Sequence, residues 1–268
     1  MLKDITLGQF FPGDTAAHKL DPRTKILLVT LYIIALFCAK SVVSYGLLAL
    51  TLAVCVRISR VGVKALVRGL KPVLFIILFT GLLNLFFTPG TRYLVEWGPV
   101  HISDTGLHNA IFMVLRIMLL IMGTFLMTYT TSPISLTDGL ERLLNGLKKL
   151  HVPVHELAMM MSIALRFIPT LIEETDKIMS AQKARGADFE SGNLMQKAKA
   201  LIPILVPLFI SAFRRADELA VAMECRCYHG GEGRTKLHVL QYARRDWIAL
   251  FLGGAITAGV LVLRQFGL

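Results

Sequence analysis

Residues 108–130, HNAIFMVLRIMLLIMGTFLMTYT, form a run of 23 residues with one charged side chain, Arg116. A helix of that length rises about 35 Å, enough to cross the ~30 Å hydrocarbon layer of a bilayer. Four more apolar runs lie at 26–39, 42–56, 72–88 and 247–263. The first two are short and separated only by Lys40 and Ser41, so they read as a tight helical hairpin that borrows flanking residues. The residues are 54% hydrophobic and 18% charged, where a soluble domain has about a quarter of its residues charged. The expected fold class is therefore an all-α integral membrane protein with about five transmembrane helices. Residues 1–25 show no basic stretch leading into a short apolar core with a cleavage site, so no signal peptide is expected.

The net charge of +11 fits the same picture, because Lys and Arg collect in cytoplasmic loops. Segment 57–71, RISRVGVKALVRGLK, has five basic and no acidic residues. The loops expected on the other side carry only Lys40, Arg92 and Arg264. The N-terminus and segment 57–71 are thus expected in the cytoplasm, as is 131–246, with the C-terminus outside. No nucleic-acid role is expected from the basic excess. Three regions result: 1–130 with four spans, 131–246, and a last transmembrane helix in 247–268.

Region 131–246 reads as an amphipathic helix at 136–150 and two long helices, 155–185 with a kink at Pro169 and 194–228 with Pro203 and Pro207. Their apolar runs, 157–168 and 200–213, are too short to span, and amphipathic sequence follows each. The two helices end alike, in AQKARG and AMECRC. Ala181 and Ala222 each stand four residues before an arginine, and Asp176 and Asp217 stand nine before. Gly186, and Gly230 with Gly231, place Arg185 and Arg226 near helix ends. A cation there is favoured by the helix dipole. A matched pair with small neighbours suits a second use, since a protruding guanidinium fork pairs well with acceptors on a partner.

Chemistry-bearing motifs are absent: there is no GxxxxGK[ST], HExxH or GxSxG. His151 and His155 sit at a helix start beside Pro153, and Cys225 and Cys227 lack a second pair to complete a zinc site. Neither catalytic nor metal-binding residues are expected. Arg116 is the one feature that favours an intramembrane enzyme, but no Asp or Glu lies in the five spans to act as acid or base. Arg116 and Asn84 are expected to hydrogen-bond each other, or each to meet a backbone carbonyl.

GDTAAHKLDPRTKI at 13–26, LRFIPTLIEE at 165–174, AQKARG at 181–186 and AVAMECRCY at 220–228 give the chain its resemblance to the transmembrane subunits of energy-coupling factor (ECF) transporters, the EcfT/CbiQ family. The resemblance covers nearly the whole chain. It implies a scaffold in the bacterial cell membrane that couples two cytoplasmic ABC ATPases to a small, interchangeable membrane-embedded subunit that binds vitamins or other micronutrients. It implies long cytoplasmic coupling helices whose ends dock into the ATPases: Ala184-Arg185-Gly186 and Cys225-Arg226-Cys227, the latter with Cys where the family often has Ala. ATP and magnesium would be used by the partners, and this chain would bind no cofactor. The apolar halves would seat the substrate subunit, through Met159, Met160 and Ile163 on one helix and Leu205, Leu208 and Phe209 on the other. A dedicated cobalt or nickel importer component is the alternative within the same class.

Overall fold

The structure, a computed structural model, describes residues 10–88, 93–97, 100–187, 189, 193–230 and 239–265. Among the described residues there are eight α-helices: α1 (Pro22–Cys38), α2 (Val42–Ser59), α3 (Val63–Phe87), α4 (Asp104–Thr130), α5 (Pro133–Leu144), α6 (Val154–Ala184), α7 (Leu194–Glu224) and α8 (Arg244–Gln265). A short antiparallel hairpin, β1 (Tyr93–Trp97) and β2 (Val100–Ser103), joins α3 to α4 where only a loop was expected. The fold is otherwise helical, as the sequence predicts. The expected helix at 136–150 is α5 followed by a 3-10 turn at Asn145–Leu150. Arg92 and Gly231 lie outside the described residues. The chain divides into two compact units, Gly8–Gly139 with Leu240–Leu268, and Leu140–Val239.

In the first unit α4 packs along α3, and α1 packs on α8 and α4. Leu36, Tyr45, Leu48, Leu66, Leu119 and Val260 are among the residues of its core. Two glycines set how closely α1 is approached. A Cβ on Gly123 of α4 would stand 2.7 Å from the Tyr32 ring, and one on Gly253 of α8 would stand 2.5 Å from Leu28.

The sequence GDTAAHKLDPRTK becomes a polar joint at the start of α1. The Asp21 carboxylate accepts the Arg23 N–H at 2.9 Å and both arms of the Arg23 guanidinium, at 3.0 and 2.8 Å. The guanidinium stacks on Tyr242, 4.0 Å from the ring centre. Buried Asp246 caps α8 through Ala243 N–H at 2.8 Å and accepts the Asp21 N–H at 2.8 Å. Lys25 donates to the Thr130 carbonyl at 2.7 Å and to the His18 carbonyl at 3.2 Å.

Arg116, inside α4, is satisfied locally. Its Nε donates to the Tyr45 hydroxyl at 2.8 Å and its Nη2 to the Ala39 carbonyl at 3.3 Å. Ala39 follows the last turn of α1, where carbonyls lack helical partners. Asn84 donates to the Thr80 carbonyl at 3.0 Å. Among the described residues the two side chains do not bond each other, and each meets a backbone carbonyl.

Among the described residues five helices are long and apolar enough to cross a membrane: α2, α3, α4, α6 and α8. The number matches the sequence expectation and the membership does not. The expected first span, α1, has 17 residues, about 26 Å of rise. The long helix set aside as non-spanning, α6, runs unbroken through Pro169 for 31 residues.

Candidate docking site on two long helices

Helices α6 and α7 are each 31 residues, about 46 Å long. Asn193 and Gln196 close a capping box at the start of α7. The two helices run antiparallel, as three contacts show. Tyr228 donates to the Met159 sulfur at 3.1 Å. Near the middle, Glu174 accepts the Ser211 hydroxyl and, at 2.8 Å, the Arg215 guanidinium. Toward the end of α6, Gln182 reaches the Pro203 carbonyl at 3.5 Å. That carbonyl has no partner within α7, because Pro207, four residues on, lacks an N–H.

Both helix ends close in the same way. Gly186 is left-handed, with φ 87°; its N–H donates to the Lys183 carbonyl at 3.0 Å, and Ala187 N–H donates to the Gln182 carbonyl at 3.0 Å. At the other end Cys227 is left-handed, with φ 54°; its N–H donates to the Glu224 carbonyl at 2.8 Å, and Tyr228 N–H donates to the Met223 carbonyl at 3.1 Å. Each is the paired 6→1 and 5→2 closure of a Schellman turn, and each puts an arginine just before the left-handed residue. The sequence reading placed the second turn at Gly230 and Gly231. The structure closes it three residues earlier, on a cysteine in a conformation that favours glycine.

Ala184, Arg185 and Gly186 are exposed, as are Cys225, Arg226 and Cys227. Among the described residues no carboxylate pairs with either arginine. The antiparallel arrangement sets the two arginines at opposite ends of the helix pair. Met159, beside the Arg226 turn, is 26 residues before Arg185. The separation is about 40 Å along the axis.

The expected apolar seat is divided by the same geometry. Met159, Met160 and Ile163 lie at the Arg226 end of α6, while Leu205, Leu208 and Phe209 lie on the half of α7 that approaches Arg185. Met160, Leu205 and Phe209 are exposed. Apolar runs on the first halves of two antiparallel helices lie diagonally, so they form two patches instead of one. His155 hydrogen-bonds Glu141 at 2.9 Å, and His151 ends the 3-10 turn at φ 60°. Among the described residues no cluster of His, Cys, Asp or Glu could hold a metal ion.

Residues 13–237 match the CbiQ family, described as "Cobalt transport protein". The energy-coupling factor transporter transmembrane protein EcfT of Clostridium kluyveri is 56% identical over 250 residues, 93% of each chain. The EcfT of Thermosediminibacter oceani is 51% identical over 98% of this chain and 99% of its own. That of Bacillus subtilis is 51% identical over 92% and 93%. The chain belongs to the EcfT/CbiQ family. It is a multi-pass membrane protein and the transmembrane component of an energy-coupling factor transporter, in a family that is not catalytic. The two arginine turns are the part of this EcfT-family chain that sequence spacing makes most visible. The contacts that align α6 with α7, through Glu174, Ser211, Gln182 and Tyr228, escaped it. Pro207 was the available signal, since it frees the Pro203 carbonyl.

Proposed function

We propose that Arg185 and Arg226 are the anchors for two cytoplasmic ATPases, and that α6 and α7 carry the ATPase motion to a membrane-embedded substrate-binding subunit. The carrying observation is the pair of like turns, each presenting an exposed arginine, about 40 Å apart along an antiparallel pair. A single socket cannot hold both, whereas two ATPase protomers offer one each. This reading also bears on the membrane. If α6 crossed the bilayer, its antiparallel partner would put one arginine on the far side, out of reach of a cytoplasmic ATPase. The α6–α7 pair therefore lies along the cytoplasmic surface, and α1 supplies the fifth span. Residues 131–246 form the cytoplasmic coupling region, between the four spans of 1–130 and the last helix in 247–268, with the N-terminus cytoplasmic.

The partners bind ATP and magnesium, and this chain holds neither. Closure of the ATPase dimer moves the two sockets, and the arginines pull the helix ends with them. The pair responds by hinge or shear motion. The substrate subunit rests on the two apolar patches, and Met160 and its neighbours repack to suit different subunits. The cargo is a vitamin or another micronutrient. The description of the CbiQ family favours a second reading, a dedicated cobalt importer component. Purification of the complex from native membranes, followed by mass spectrometry, tests both. Two ATPases with a mixture of substrate subunits is the expected result. One fixed substrate subunit would favour the dedicated importer, and recovery without ATPases would contradict the coupling role.

A further inference from the structure

The turn between α2 and α3 carries charge that the fold does not use. Arg57, Arg60, Lys64, Arg68 and Lys71 are all exposed, and among the described residues none is ion-paired. Arg60 ends α2 in the left-handed region, at φ 53°, a position that glycine fills without strain. Beside this turn α2, α3 and α4 leave an apolar cleft of about 590 Å³. Leu52, Leu66, Leu119 and Met122 line it, together with Arg57 and Arg60. Val54, Ile58, Val63 and Val67 in the same elements are exposed, as residues that face lipid would be.

We infer that this cleft is a binding site for one anionic phospholipid. An acyl chain lies in the apolar cleft, and the phosphate is held by Arg57 and Arg60. Charge complementarity selects the occupant. Two unpaired guanidiniums with no neighbouring carboxylate suit an anion, and the fork of each matches phosphate oxygens. An acyl chain fits an apolar cleft that opens on lipid, while a free phosphate would leave that cleft unused. A second cavity, of about 830 Å³, lies across the same turn and shares Arg60. It is lined by Lys64 and Arg68 but also by Asp14, so it is the natural control for diffuse attraction.

Native mass spectrometry of the full chain in mild detergent tests the site, with phosphatidylglycerol, phosphatidylcholine and glycerol 3-phosphate as separate probes. One phosphatidylglycerol should bind well ahead of phosphatidylcholine. Arg57→Gln with Arg60→Gln should weaken it about 30-fold, about fivefold for each basic group. Ala53→Trp, which fills the cleft from an exposed position, should weaken phosphatidylglycerol and leave glycerol 3-phosphate unchanged. Lys64→Gln with Arg68→Gln should change binding by less than about fivefold. Equal binding of the two lipids would overturn the site. So would a Lys64/Arg68 variant as damaging as the Arg57/Arg60 one, or glycerol 3-phosphate bound as tightly as the lipid. Efficient cross-linking from Ala53→Cys to a partner subunit in the intact complex would assign the cleft to protein and overturn it too.

Discussion

In the first unit Asp246 is buried and gives both carboxylate oxygens to backbone N–H groups, and Arg116 finds a tyrosine hydroxyl and a helix-end carbonyl. In the α6–α7 pair, Arg185 and Arg226 stand exposed on closed turns whose backbone groups need nothing from them. Within the bundle of the first unit these two charges meet partners that the chain itself supplies, unlike the exposed basic turn between α2 and α3. The helix pair holds Glu174 to Arg215 in its middle and, among the described residues, leaves the arginines at its ends without carboxylates. Removing a polar group from the bundle should therefore cost folding stability, while removing an end arginine should cost assembly.

The largest stability effect should come from Asp246→Ala. It strips the partner from two N–H groups, one at Asp21 and one at Ala243, at about 1.5–3 kcal/mol for each bond to a charged group. A thermal melt in detergent should fall by several degrees; an unchanged melt would show that the joint does not hold the bundle. Arg116→Leu should cost about 1.5–3 kcal/mol, because the Tyr45 hydroxyl loses its charged partner. Tyr45→Phe in the same background should then add little, and full additivity of the two would break their coupling. Cys227→Gly should stabilise the α7 end by about 1 kcal/mol, since a non-glycine left-handed residue is strained. Slower amide exchange at Tyr228 is the expected sign, and faster exchange would contradict it.

The helices were legible because long apolar runs admit few other structures, and the arginine turns because their spacing repeats. What was not legible was long-range. Tyr45 meets Arg116 across 71 residues of sequence, and no local pattern announces it. The antiparallel register of α6 and α7 divided the apolar seat into two patches, although each patch could be read by itself. The left-handed turn at Cys227 hid because glycine is the usual signal for that conformation, and two glycines followed close behind. The exchange of α1 for α6 among the span-length helices has a simple cause. Only the apolar run 157–168 was weighed as a span and found too short, whereas the whole of α6, with 31 residues, is long and apolar enough, and α1 has only 17.

The central claim is that two exposed arginines, one at each end of the α6–α7 pair, tie the subunit to two ATPases. Co-purification of the ATPases with Arg185→Ala/Arg226→Ala, compared with each single variant and the unaltered chain, tests it most directly. Losing one anchor of a buried charged contact costs about 2–5 kcal/mol, so each single variant should weaken the complex while the other anchor still holds it. The double variant should recover no ATPase, while its detergent melt stays within about 1 kcal/mol of the unaltered chain's stability, as expected of helix-end cations. ATPases recovered with the double variant at unaltered levels would contradict the account.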